Sequence, residues 1–146
     1  MFTYPAYQAL KQKLKAIAPV FYYIGQYTKG PDNTSYTVPA IYIEMPKASN
    51  VVYWGRGVRC IKPALVNIHI INNAPYKNHD NIIQDSAIAA HAKMIQDVEK
   101  EIQGLVLRKD DGRLLSQRFI QTGANEANFQ NKHIFSVLSF TTEIYG

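Results

Sequence analysis

The spacing of apolar and polar positions changes along this chain in a fixed order: helical period, period two, helical period, period two. Tyr7, Leu10, Leu14 and Ile17 recur at helical spacing, with Gln8, Lys11, Gln12 and Lys15 opposite them. That predicts a helix over residues 3–18, capped by Thr3, tolerant of Pro5 in its first turn and ended by Pro19. Residues 20–24 read as a short strand or an extended linker. Residues 25–37 read as a loop built on the turn chemistry of Gly30-Pro31-Asp32-Asn33. Alternation then predicts a strand over 38–45, with Ile41, Ile43 and Met45 on one face and Ala40, Tyr42 and Glu44 on the other. Residues 46–57 read as a long connection whose tip is Tyr53-Trp54-Gly55-Arg56-Gly57.

The longest strand is predicted over 58–72. Ala64, Val66, Ile68 and Ile70 share one of its faces; Leu65, Asn67, His69 and Ile71 share the other. A helix begins near Asp80 or Asp85 and carries Ile88, Ala92, Ile95, Val98 and Ile102 as its apolar stripe, with Gly104 where a C-terminal cap belongs. Residues 105–107 read as extended, and Asp110-Asp111-Gly112 as a turn. Residues 116–122 and 132–145 read as strands flanking a polar loop over 123–131. The whole predicts one α+β domain over residues 1–146. Its sheet is mostly antiparallel, with one long helix packed on it and a short N-terminal helix.

Composition narrows this picture. The chain has 146 residues, 47% of them hydrophobic and 18% charged, which suits one folded domain rather than a disordered segment. Ten tyrosines and six phenylalanines are an excess that points to protein–protein surface as well as core. The net charge of +5 is concentrated early: Lys11, Lys13, Lys15 and Lys29 all precede the first acidic residue, Asp32. The N-terminal residues lack the charged and apolar regions of a signal peptide, and no stretch approaches about 18 uninterrupted apolar residues. The expectation is a protein made in a cytoplasm, with no membrane partner.

Catalytic chemistry finds little support. Cys60 is the single cysteine, read as a small strand hydrophobe; a disulfide within the chain is impossible. His69, His79, His91 and His133 form no His-x₃-His pair and have no acidic cluster at metal-ligand spacing. Asp97, Glu99 and Glu101 read as a solvated helix face beside Lys93 and Lys100, and Asp110 and Asp111 as turn residues. There is no Gly-x-Ser-x-Gly elbow, and Gly55-Arg56-Gly57 is too short for a phosphate loop. The expectation is a protein that is not an enzyme and holds no metal or cofactor.

The strongest candidate site is a partner interface at Tyr53, Trp54, Arg56 and Arg59. Trp, Tyr and Arg anchor protein interfaces and also stack on bases. The alternative for Trp54 is that it folds back on the core. The alternative for the whole chain is a nucleic-acid-binding α+β domain, although the basic-Gly-aromatic-Gly-aromatic consensus of ribonucleoprotein domains is absent.

In layout the chain resembles the tail-terminator, tail-completion and head–tail joining (neck) proteins of tailed bacteriophages. The positions that carry the likeness are the helix over 3–18, the strand over 38–45 ahead of a long loop, the strand 63–71 running into the long helix, and the last strand. No residue motif is diagnostic of that family. The resemblance implies a structural virion subunit of the tail or neck, assembled in the host cytoplasm. Its partners would be copies of itself in a closed ring, commonly of six, together with the tail tube protein and the head connector. DNA would pass through the lumen without specific recognition. The 46–57 loop, the 123–131 loop and the C-terminal strand would do the joining. Another virion part of related fold, such as a baseplate or neck adaptor, fits the same layout.

Overall fold

The computed structural model describes residues 2–26, 36–47, 51–54, 58–77, 82–130 and 132–146, with backbone alone at 51–54, 58, 76–77, 126 and 130. Two α-helices lie on a mostly antiparallel mixed sheet, the α+β arrangement read from the sequence.

Helix α1 runs Tyr4–Leu14, three to four residues shorter at its C-terminal end than the apolar spacing predicts. Thr3 precedes it in helical conformation, and no side-chain cap forms. Its carbonyl takes the Tyr7 N–H at 3.0 Å instead. Ala6, Tyr7, Leu10 and Leu14 are buried, and the lysines face outward. Strand β1 (Val20–Tyr22) follows and pairs in parallel with β2 (Ala40–Glu44), so the first three of residues 20–24 form a strand and the last two do not. The turn expected at Gly30-Pro31-Asp32-Asn33 lies outside the described residues.

The backbone of the fold is β4 (Val58–Asn73), 16 residues and roughly 50 Å long at ~3.3 Å per residue. It corrects the reading of 46–57 as one long loop. Residues 51–54 form a strand, β3 (Val51–Trp54), paired antiparallel with the start of β4. β2 pairs with the same edge of β4 further along, Ile41 opposite Ile70 and Glu44 opposite Asn67. So β2 and β3 lie end to end beside one long strand. Between their two footprints, β4 shifts register against its other neighbour at Ile61/Ala64, where Pro63 has no N–H to donate.

After β4 come a small two-stranded ribbon, β5 (Tyr76–Lys77) with β6 (Ile82–Ile83), and helix α2 (Asp85–Ile102). Gly104 ends α2 with φ +78°, the left-handed conformation that favours glycine, and its N–H reaches the Phe119 carbonyl at 2.8 Å. Residues 105–119 contain isolated bridges but no named strand, and the strand expected from 116 begins only at Ile120. They fold around the Asp110–Gly112 turn and bury Leu107, Leu115 and Phe119.

The last hairpin differs most from expectation. Strand β7 (Ile120–Gln130) runs through the segment read as a polar loop and turns at Lys132 into β8 (His133–Tyr145). The main sheet order is β1-β2-β4-β8-β7, with β3 also on β4. One face carries the main core, where Ile41, Ile43, Val66, Ile68, Ile70, Leu138 and Phe140 meet α1 and α2. The faces of β2 and β4 divide as the alternation predicts.

The stripe of α2 does so only from Ile95 onward, with Ile95 packed against the core. His91, Val98 and Ile102 are its buried residues, whereas Ala92 is exposed and Ile88 is 42% exposed. The helix is rotated toward His91 because Asn72 and Ser136 hold that imidazole. Asn72 Nδ2 donates to Nδ1 at 2.7 Å, so the neutral ring carries its proton on Nε2 and donates to Ser136 Oγ at 2.7 Å. A buried polar residue on the core side is tolerated when both its nitrogens are bonded.

Candidate interaction surfaces

The hairpin predicted to hold the interface residues is only partly visible as a site. Backbone register sets Tyr53 opposite Arg59 and Trp54 opposite Val58. Arg56 lies outside the described residues. Arg59 is exposed, and it is occupied: its guanidinium lies over the Phe2 ring, 5.0 Å from the centroid. Its carbonyl accepts the Gly146 N–H at 2.8 Å. Gly146 sits so close to Phe2 that an added Cβ would come within 2.6 Å of the ring. Arg59 therefore clasps the segments around Phe2 and Gly146. That is a structural task sequence reasoning did not assign to it.

The sheet face away from the helices carries a polar row. Glu44 accepts from His69 Nε2 at 2.7 Å and from Asn67 Nδ2 at 3.3 Å, and Ser139 Oγ donates to Asn67 Oδ1 at 2.7 Å. Burial pushes the His69 pKa down, and Glu44 opposes that shift. Ser139 is bonded to an amide oxygen rather than to an imidazole, so the row is not arranged as a nucleophile with its base. Beside it, Ala40, Tyr42 and Ile71 form a second small core with Tyr23, Tyr36, Val38 and Phe135. Among the described residues no three His, Cys, Asp or Glu side chains converge as metal ligands would. Alternation had placed Glu44, Asn67 and His69 on non-core faces, which was the available signal for this row; their pairing was not legible.

The two ends of the sheet differ sharply. β1 is three residues long, and the Tyr22 carbonyl, which points away from β2, accepts Gln26 Nε2 at 2.8 Å. Gln26 Oε1 in turn takes the Ile24 N–H at 2.8 Å. That edge is capped by its own chain. β7, at the other end, is 11 residues long, contains no proline, lysine or arginine, and has one charged residue, Glu126. Among the described residues no strand pairs with its outer edge. Natural sheets blunt free edges with charge, proline, short length or bulges. β7 uses only the last of these, with register shifts at Gln121/Gly123 and Asn125/Asn128.

Behind β7, on the helix side, α2 leaves a groove of about 340 Å³, walled by Ile88, Ala92, Ile95 and Glu99 and floored by Ile134 and Ala127. A wider opening of about 960 Å³ separates α1 from the 106–111 segment; Gln8, Gln12, Lys13 and Arg108 are among its lining residues, and these are side chains at home in water.

No protein-family model matches this chain, and neither does any curated protein. Among the described residues no helix is long and apolar enough to cross a membrane. What the geometry defines is an α+β arrangement whose sheet has a short, capped end at β1 and, at β7, a long edge to which no strand pairs among the described residues.

Proposed function

We propose that this protein is a non-enzymatic structural subunit of a tailed-phage virion. It closes into a ring, commonly of six copies, at the tail end or the head–tail junction, stops the tube there and joins it to the connector. The observation that carries the reading is the asymmetry of the sheet: an edge of three residues capped by Gln26 at one end, and at the other an edge of 11 residues blunted only by two register shifts and one charge. A chain whose two sheet ends differ in this way is suited to head-to-tail contact, and a head-to-tail contact that closes makes a ring. The order of elements supports the phage setting through the layout it shares with terminator and neck proteins. The virion location, the tube and connector partners and the passage of DNA rest on that likeness.

The experiment is light scattering on the purified protein across concentration, with negative-stain images of the products. Closed rings, and their capture at the ends of purified tail tubes, are expected. Thr122→Lys with Asn125→Lys places two charges on the open strand and is expected to suppress assembly while leaving the fold intact. A wild-type monomer that ignores tube ends and binds single-stranded nucleic acid tightly at low salt would overturn the proposal.

A further inference from the structure

We propose that the groove between α2 and β7 receives helix α1 of a second copy of this chain. The inference rests on the assembly reading above and names the surfaces that meet. Its first support is the extent of the helix layer. α1 packs on β1 and against α2, and α2 packs on β4 and β8, so the layer stops short of β7. On one side of the sheet, then, the layer begins with α1 at the capped end and stops with α2 before the open end. A neighbour set head to tail brings its α1 to the vacant position over β7.

The second support is charge. From Tyr4 to Lys15 the chain carries Lys11, Lys13 and Lys15 and no acidic residue. All three lysines are exposed, as is Tyr4, at 47%. The groove flank of α2 is of the opposite sign. Asp85 and Glu99 lie 14 positions apart, near four helical turns, and bracket the apolar run Ile88, Ala92 and Ile95. Tyr4 and the lysine stems suit an apolar floor, and the ammonium groups suit the acidic rim. The third support is the surface itself. Ile88 is 42% exposed, Phe129 on β7 is 45% exposed, and Ile82 is 61% exposed just before α2; a contact here removes apolar area from water that the lone subunit leaves wet.

The test is the concentration midpoint of assembly for the full chain, measured by light scattering at low and moderate salt. Glu99→Lys alone, and Lys11→Glu with Lys15→Glu, are each expected to raise the midpoint on the order of tenfold, and combining them to restore much of the loss. Ala92→Tyr, at an exposed helix position, fills the groove and is expected to abolish assembly with thermal unfolding unchanged. A cross-link gives an independent reading. Gln8→Cys and Ala92→Cys proteins, mixed and oxidised, are expected to form a mixed disulfide, with buried Cys60 silent. If rings form with an unchanged midpoint in these variants and no mixed disulfide appears, this inference falls and the ring reading stands. If the wild-type chain never associates with itself, alone or on tail tubes, both fall.

Discussion

The Tyr23 ring lies nearly flat on the His69 imidazole, centroids 3.9 Å apart and planes 12° from parallel. The stack covers a histidine whose Nε2 is bonded to Glu44, so an aromatic lid and a carboxylate together hold one imidazole on the helix-free face. Tyr23→Ala opens that lid. The expected outcome is a loss of about 1–2 kcal/mol in urea unfolding, from lost stacking and apolar burial. Glu44→Ala leaves the His69 and Asn67 donors without this acceptor and is expected to cost roughly 1–3 kcal/mol. A double-mutant cycle between Tyr23 and Glu44 should show coupling, because both act through His69.

Stability is expected to fall as the solution is acidified through the histidine range. Burial lowers the His91 pKa to about 4 from an ordinary value near 6.5, and burial also lowers those of His69 and His133. A folded-state pKa below the unfolded one means the unfolded chain binds the extra proton. The stability is therefore fully present above about pH 6.5 and is lost as pH falls toward 4. His91 accounts for up to about 3 kcal/mol of that loss. Urea midpoints at pH 7 and pH 4.5 measure it, and the difference should shrink in His91→Gln. Glu143, its pKa held down by Lys62 and then by Tyr145, contributes in the same direction at lower pH.

Gly104→Ala isolates a backbone effect. An added Cβ meets nothing within 4 Å there, yet φ is +78°. The expected cost is about 1 kcal/mol, all of it conformational. Unfolding of the variant measures that cost, and an unchanged sedimentation profile would show that surface contacts are spared.

Phe119 and Phe140 are fully buried and meet edge to face, centroids 6.5 Å apart at 66°. Phe119 comes from the irregular segment before β7, and Phe140 from the middle of β8. Phe119→Ala is expected to destabilise by about 3–5 kcal/mol, read from denaturant midpoints. It should also loosen the start of β7, which amide hydrogen exchange at Gln121 to Ala124 would detect.

The parts of this fold legible in the sequence are those where one face of a strand is apolar and the other is not. Ile68 against His69 on β4 is such a pair, and its alternation sorted both faces correctly. β7 beyond Thr122 was missed because Gly123, Ala124, Asn125 and Asn128 offer little strand propensity and little apolar alternation; that part of the strand exists because β8 supplies its hydrogen bonds. The α2 stripe was read through Ile88 and Ala92 because period alone cannot reveal that Asn72 and Ser136, from two different strands, would satisfy His91. The candidate interface was read around Trp54 and Arg59 from residue type. Long-range packing shows a structural contact of Arg59 that residue type could not reveal, because Phe2 and Gly146 are remote from it in the chain. The open edge and the groove behind it depend on the same long-range pairing, so neither was visible in local pattern.

One consequence lies in the order of synthesis. β7 is joined to the main sheet through β8, and β8 is made after every strand it touches; Cys60 waits for Tyr145, 85 residues later. Pairings this distant in sequence form slowly. Until β8 inserts between β4 and β7, neither the outer edge nor the groove behind it exists. On the assembly proposed above, a nascent or truncated chain therefore carries α1 but not the surface that would receive it, so a check on completeness follows from the topology.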